Sequence, residues 1–191
     1  MPGACDTGIV QVTSIQNDNT ATVAAVADFY RTFPARVEAE AAALRGRNVT
    51  LIVGDIAPLA FAVAERLGVP GVALGNFTWD WIYETHPGFL PDGAPVLATI
   101  RDAYRKAVLA LQLPFSAGFD RFEHVRPLPL IARRPTATRE ATRRTLGWAP
   151  DQKVVLGSFG GYGLPSLDLG RVDAGERWTI VTTDRVSPHP A

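Results

Sequence analysis

The chain has 191 residues, 19 basic and 19 acidic side chains, one Cys, 17 Gly and 15 Pro, and 47% of it is hydrophobic. This composition is typical of a globular protein and argues against a disordered, collagen-like or coiled-coil chain. The balanced charge removes any general electrostatic reason to expect nucleic-acid or anionic-membrane binding, and one Cys excludes an intrachain disulfide framework. No apolar run approaches the roughly 18 residues of a membrane span, and no signal peptide is visible, so a cytoplasmic protein is expected.

The first part of the chain is predicted to alternate strands and helices. The predicted elements are a strand over 8–13, a helical stretch over 21–45 that Pro34 kinks or divides, a buried strand over 49–54, a helix over 59–67 opened by Pro58 and stopped by Gly68, and a strand over 69–74. A strand, a helix and a strand in such close succession form the unit of a parallel α/β sheet. The fold class is therefore predicted to be α/β.

The second part is less regular. Its predicted elements are an amphipathic helix over 96–113, an irregular stretch over 115–127, a short strand over 128–132, a basic helix from Thr136 or Thr138 to Leu146, a buried strand over 153–158 and a strand over 178–183. The arginine-rich helix is interpreted as a solvated helix at a domain junction. We expect a first domain over 1–132, a linker with its helix over 133–152, and the beginning of a second, incomplete domain over 153–191.

Residues 76–84 combine aromatic and polar side chains directly after a predicted buried strand. Open α/β sheets bind ligands at the carboxyl ends of their strands, and flat rings beside hydrogen-bonding groups suit a sugar or another polar ring. The candidate substrate-binding residues are Asn76, Thr78, Trp79, Trp81 and Tyr83. The alternative, given equal weight, is ordinary packing by an aromatic helix that Thr78 or Asp80 caps.

Three carboxylates near these strand ends are candidates for catalysis. Asp55 ends the predicted strand over 49–54 on the same sheet edge as Asn76, although capping of the next helix is the simpler role for it. If 79–84 is helical, Asp80 and Glu84 share one face, as do Trp79 and Tyr83. Whether these two carboxylates form an acid and base pair stays open, because a solvated face is the more common outcome.

A glycine-rich turn follows the strand over 153–158. Its residues, Ser158, Gly160, Gly161, Tyr162 and Gly163, could bring backbone amides close to a phosphate. The turn has no lysine in the Walker position, so ATP chemistry is not supported, and a tight strand exit without a ligand is the alternative. The three histidines have no metal-ligand spacing, so no metal site is predicted.

Four segments, at residues 6–11, 53–61, 75–84 and 158–163, resemble segments that occur in the same order in bacterial glycosyltransferase-like proteins. These proteins are similar to two-domain GT-B enzymes related to the family that transfers N-acetylglucosamine in peptidoglycan synthesis. The Asn76–Glu84 block also resembles the amino-terminal part of plant L-arabinokinases. The resemblance implies two Rossmann-like domains facing a cleft, with no bound metal or other cofactor.

In that arrangement a nucleotide sugar is the co-substrate, and the turn at Gly160–Gly163 lies near its diphosphate. A sugar-type acceptor would lie against Asp55 and the Asn76–Glu84 block. Members of the family normally begin with a strand, loop and helix that are missing here, and they continue well beyond residue 191. The resemblance therefore predicts a truncated chain without its first strand, whose exposed edges make self-association plausible. The alternative function is that of a non-catalytic sugar- or nucleotide-binding accessory module.

Overall fold

The computed structural model describes residues 4–89, 94–158 and 178–182. In chain order the strands and helices are β1 (Gln11–Thr13), β2 (Gln16–Asn17), α1 (Asn19–Arg31), α2 (Phe33–Leu44), β3 (Ile52–Gly54), α3 (Pro58–Leu67), β4 (Gly71–Gly75), α4 (Trp79–Glu84), α5 (Ala94–Tyr104), β5 (Leu109–Gln112), β6 (Val125–Pro127), α6 (Arg139–Thr145), β7 (Lys153–Gly157) and β8 (Trp178–Thr182).

The chain divides into two compact units. Unit 1 comprises residues 1–10 and 19–131, and unit 2 comprises residues 11–18 and 132–191. That residues 153–191 begin a second, incomplete domain and that residues 133–152 form a linker stay predictions. Across the ranges that the structure describes, no helix is both long and apolar enough to cross a membrane.

Unit 1 is built on a four-stranded parallel sheet with the order β3-β4-β5-β6. Helix α3 connects β3 to β4, and helices α4 and α5 lie between β4 and β5 in the chain. Parallel neighbours joined through helices are the pattern of a Rossmann-like fold. The predicted α/β class is confirmed. The carboxyl ends of β3 and β4 consequently open on the same edge of the sheet.

Proline and glycine set the helix boundaries where the sequence predicted them. The stretch over 21–45 is divided, and Pro34 lies in the first turn of α2, where its missing N–H leaves no helical bond unmade. Pro58 opens α3 in the same way. Gly68 ends α3 in the left-handed conformation, with a φ of 69°, which glycine adopts without steric cost.

The predicted helix over 96–113 is wrong in its second half. Helix α5 ends at Tyr104, and Leu109–Gln112 form β5, an inner strand of the sheet. The predicted helix is too long because Val108 and Leu111 continue the apolar spacing of the helix. In addition, no Gly or Pro follows Tyr104 to indicate that the helix ends there. Pairing with β4 on one side and β6 on the other overrides the helix propensity of this segment.

Two predicted strands are also shifted. The strand placed at 128–132 lies earlier, at Val125–Pro127, within the stretch predicted to be irregular. The strand placed at 8–13 is confined to Gln11–Thr13, which pairs antiparallel with Gln16–Asn17. Pro127 ends the edge strand β6, a position where its missing N–H costs nothing.

The sheet of unit 1 buries one face more deeply than the other. Gly71, Ala73 and Gly75 of β4 are buried, and the ring of Phe61 on α3 packs where the Gly71 side chain would lie. On the opposite face Val53 is 55% exposed, and the preceding Leu51 is 47% exposed. The prediction that residues 49–54 form a strand covered on both faces is therefore wrong for this outer face.

The described residues of unit 2, which are 11–18, 132–158 and 178–182, form two separate strand pairs and a short helix. Strands β7 and β8 are parallel, and Lys153 lies 4.9 Å from the centre of the Trp178 ring. The burial predicted for residues 153–158 is wrong, since Leu156 is 63% exposed. Helix α6 has the predicted cap, with the Ala141 N–H donating to the Thr138 hydroxyl, and it buries no residue, which confirms a solvated helix.

Candidate functional site

The segments at residues 6–8, 55–56 and 76–84 meet at the carboxyl edge of the sheet of unit 1. Asp55 directly follows β3, and its Oδ1 would lie 3.7 Å from a Cβ placed on Gly75, the last residue of β4. Helix α4 begins four positions after Gly75. Asp6 reaches the same region through a hydrogen bond to Trp79 of that helix. We refer to these three segments as the carboxyl-edge site.

Residues 79–84 are helical, as the packing alternative required, but neither predicted cap forms. The Thr78 hydroxyl makes no cap bond and instead donates to the carbonyl of Gly118 at 2.9 Å. The amide of Trp79 donates to the Tyr104 hydroxyl on α5 at 3.0 Å. The start of α4 is therefore held by hydrogen bonds to Gly118 and Tyr104 and not by a side-chain cap.

Trp79 and Tyr83 share one face of α4, as predicted for a helix, and their rings stack at 5.5 Å. The indole Nε1 of Trp79 donates to Asp6 Oδ2 at 3.1 Å, and the Tyr83 hydroxyl donates to the carbonyl of Gly8 at 3.0 Å. This aromatic face thus fixes the segment that carries Asp6. Tyr83 is 1% exposed, and burial raises its pKa to about 12.

The carboxylate of Asp6 lies within the electrostatic influence of Asp55. Burial raises the pKa of Asp6, the bond from Trp79 acts in the opposite direction, and the charge of Asp55 raises the pKa further. Asp55 itself is exposed. Sequence reasoning included Asp6 in a family segment without giving it a role, because its partner Trp79 is 73 positions away.

The predicted substrate-binding residues divide into an inner and an outer group. Thr78 and Tyr83 are buried and their hydroxyls bond within the unit, so they support the site. Asn76 is exposed, Trp81 is 42% exposed, and Trp79 lies between these extremes. Asn76, Trp79 and Trp81 are accessible to a ligand, and their role in binding stays a prediction.

The two carboxylates on the other face of α4 form ion pairs. Asp80 is 2% exposed, and its Oδ2 lies 3.2 Å from Arg101 Nε and 3.4 Å from Arg121 Nε. Glu84 is half-exposed and lies 2.9 Å from Nη2 of the same Arg101. The shared face is confirmed, but it is solvated only at Glu84. A buried carboxylate paired with two guanidinium groups suits a structural role better than proton transfer.

Ser158 is exposed at the end of β7, and Gly160, Gly161, Tyr162 and Gly163 lie outside the described residues. The phosphate-binding role of this turn therefore stays a prediction. Within residues 4–89, 94–158 and 178–182, no group of three or more His, Cys, Asp or Glu side chains is arranged to hold a metal ion.

Comparison with known proteins gives one informative similarity. No protein-family model matches the chain, and no solved structure matches it. The chain is 30% identical over 128 residues to the L-arabinokinase of Arabidopsis thaliana. The match covers 65% of this chain but only 12% of that protein, so the chain spans a small part of its relative. The predicted resemblance to a plant L-arabinokinase is confirmed, while the resemblance to GT-B glycosyltransferases stays a prediction.

Proposed function

We propose that unit 1 binds a sugar at the carboxyl-edge site, as the acceptor side of a glycosyltransferase-like protein that uses a nucleotide sugar. The observation that carries the proposal is the hydrogen bond from Trp79 to Asp6. It fixes a carboxylate beside an indole ring at the edge where α/β sheets bind ligands. The similarity to an L-arabinokinase supports a sugar as the ligand class.

The side chains at this edge offer the groups that a sugar needs. Aspartate oxygens accept hydrogen bonds from sugar hydroxyls, and the Asn76 side chain both donates and accepts them. The exposed ring of Trp81 offers a flat apolar surface for the C–H face of a pyranose or furanose. A few placed polar groups among aromatic side chains are typical of small-molecule sites.

The proposed reaction is displacement at the anomeric carbon of the nucleotide sugar. A sugar hydroxyl of the acceptor gives its proton to a carboxylate, Asp6 or Asp55, as its oxygen bonds to the anomeric carbon. The bond from that carbon to the diphosphate breaks, and the diphosphate leaves with the electron pair. Stabilising the charge of that leaving group is the role that the sequence predicts for the glycine-rich turn that begins at Ser158.

A second candidate function is sugar or nucleotide binding without catalysis. It is favoured by the L-arabinokinase match, since the chain corresponds to 12% of a much longer protein. A module of that kind would use the same carboxyl-edge site and would leave the chemistry to another part of its parent protein.

The proposal is tested by titration calorimetry of the whole chain with L-arabinose, UDP, UDP-L-arabinose and UDP-N-acetylglucosamine. We expect heat of binding with at least one sugar-containing probe, and a tenfold or greater loss of affinity in Asp6→Asn. Asp102→Asn is the matched control, because Asp102 lies on the exposed surface of α5 and pairs with Arg105. Absence of binding by the wild-type chain to every probe would contradict sugar recognition.

Release of UDP from the bound nucleotide sugar separates the two candidate functions. Release in the presence of a sugar acceptor supports glycosyl transfer. Binding without any release favours the non-catalytic module.

A further inference from the structure

We propose that the Tyr104 hydroxyl is the positioning group of the carboxyl-edge site and that it sets the spacing between the Asp55 turn and helix α4 by bonding to both. Its effect on sugar affinity rests on the proposed function, whereas the coupling of the two backbone segments does not.

The Tyr104 hydroxyl donates one hydrogen bond and accepts another, each with a different backbone segment. It donates to the carbonyl of Ile56 at 2.8 Å and accepts the amide N–H of Trp79 at 3.0 Å. Tyr104 is fully buried, and burial raises the pKa of its hydroxyl. The hydroxyl therefore keeps the proton that it donates in the hydrogen bond to Ile56. The ring packs against Phe61 and Phe122, which restricts where the oxygen can lie.

The backbone that Tyr104 holds is strained. Ile56 has a φ of 49°, in the left-handed region that β-branched residues rarely adopt, and it is 3% exposed. Such a conformation persists only where the surroundings enforce it. Here the Tyr104 hydroxyl holds the carbonyl, and Gly75 leaves space for the Ile56 side chain, since a Cβ at Gly75 would lie 2.5 Å from Ile56 Cγ2.

The two bonds of Tyr104 lead to the two carboxylates of the site. Asp55 precedes Ile56 by one position, so the conformation of Ile56 directs Asp55 at the strand exit. The amide of Trp79 fixes the start of α4, and the indole of the same residue holds Asp6. One buried oxygen therefore connects the backbone that carries Asp55 with the residue that orients Asp6.

The test is Tyr104→Phe in the full chain, which keeps the ring and removes both hydrogen bonds. We expect amide hydrogen exchange at Trp79, measured by NMR, to accelerate at least tenfold relative to amides elsewhere in unit 1. For any sugar probe that the wild type binds, we expect affinity to fall about tenfold. Thr99→Val is the matched control, because it removes another hydroxyl of α5, one that donates to the carbonyl of Pro95 on the same helix, and it should leave both quantities unchanged.

Uniform acceleration of amide exchange across unit 1, or an exchange rate at Trp79 equal to that in Thr99→Val, would overturn the proposal. Unchanged affinity for a bound probe would overturn it as well. A wild-type chain that binds no probe contradicts the proposed function, while the exchange result still decides the coupling. If Tyr104→Phe does not fold, the wild type supplies the test. The hydroxyl proton of Tyr104 should appear as a slowly exchanging NMR signal close to the Trp79 amide, and its absence would contradict the bridge.

Discussion

Trp79 donates its indole N–H to Asp6 at 3.1 Å, although 73 positions of sequence separate the two residues. The bond joins the segments at residues 6–11 and 75–84, whose contact the sequence did not predict. It also gives Trp79 a role beyond packing, since the ring that stacks on Tyr83 orients a carboxylate at the carboxyl-edge site.

We expect Trp79→Phe to raise the pKa of Asp6 further, because the indole bond is the interaction that lowers it. The variant should also lose about 1 kcal/mol of unfolding free energy with the hydrogen bond. An NMR titration of the Asp6 side chain and urea denaturation measure the two effects. Trp81→Phe is the control, because its ring is exposed, and an equal change in both variants would contradict the assignment.

Trp81→Ala should lower sugar affinity more than it lowers folding stability. Trp81 is 42% exposed, so its removal leaves no enclosed cavity, and the loss of its partly buried surface should lower the unfolding free energy by about 1 to 2 kcal/mol. Calorimetric affinity for the bound sugar probe and urea denaturation give the comparison. If both fall in parallel, Trp81 is only a packing residue.

Asp80→Asn should destabilise unit 1 by about 3 kcal/mol, because it leaves Arg101 and Arg121 without their buried counter-charge. Glu84→Gln is the matched control on the same helix. Its half-exposed ion pair with Arg101 should contribute less than about 1 kcal/mol. Chemical denaturation measures both, and a fully stable Asp80→Asn protein would contradict the structural role of the buried ion pairs.

The stability of the protein should depend on pH through Asp6. Its pKa in the folded state lies above the ordinary value of 3.8, so the folded state binds the proton more tightly than the unfolded state. The protonated Asp6 side chain therefore contributes fully to the free energy of unfolding below its unfolded-state pKa. That contribution is lost as the pH rises through its folded-state pKa.

Urea denaturation over a pH series, with wild type compared with Asp6→Asn, isolates this contribution. Asp55→Asn should lower the folded-state pKa of Asp6 and so narrow the pH range over which this contribution is lost, since the charge of Asp55 is one cause of the raised pKa. A difference between wild type and Asp6→Asn that does not vary with pH would show that Asp6 titrates normally.

Strand β3 lies at an edge of the described sheet and has an exposed apolar side chain at Val53. If the chain self-associates through this edge, Val53→Lys should reduce the associated fraction, since edge lysines disfavour strand pairing. Sedimentation velocity measures that fraction. Val12→Lys in β1 serves as the control, because Val12 is exposed to a similar extent, and an equal reduction by both variants would show that association does not depend on the β3 edge.

Local signals predicted the parts of the fold that depend on local chemistry. Pro34, Pro58 and Gly68 act on the backbone of their own helices, so the boundaries that they set could be inferred from sequence. Leu109–Gln112 could not, because leucine and alanine favour helices and only the sheet neighbours make this segment a strand.

The sequence predicted the sheet edge at which the candidate site lies, but it did not predict the side-chain contacts within the site. Asn76, Trp81 and Asp55 follow their strands at the expected edge, since parallel strands share it. The burial of Asp80 and the role of the Tyr104 hydroxyl depend on α5 packing against α4, and a helical period gives only the face on which a residue lies.

The close approach of Gly75 and Ile56 constrains the identities of both residues together. A Cβ at position 75 would lie 2.5 Å from Ile56 Cγ2, and neither backbone can withdraw while the strand exit keeps its conformation. Homologous chains that carry a side chain in place of Gly75 should therefore carry glycine or another small residue in place of Ile56. That paired exchange is an evolutionary signature by which distant relatives with this strand exit can be distinguished from chance matches.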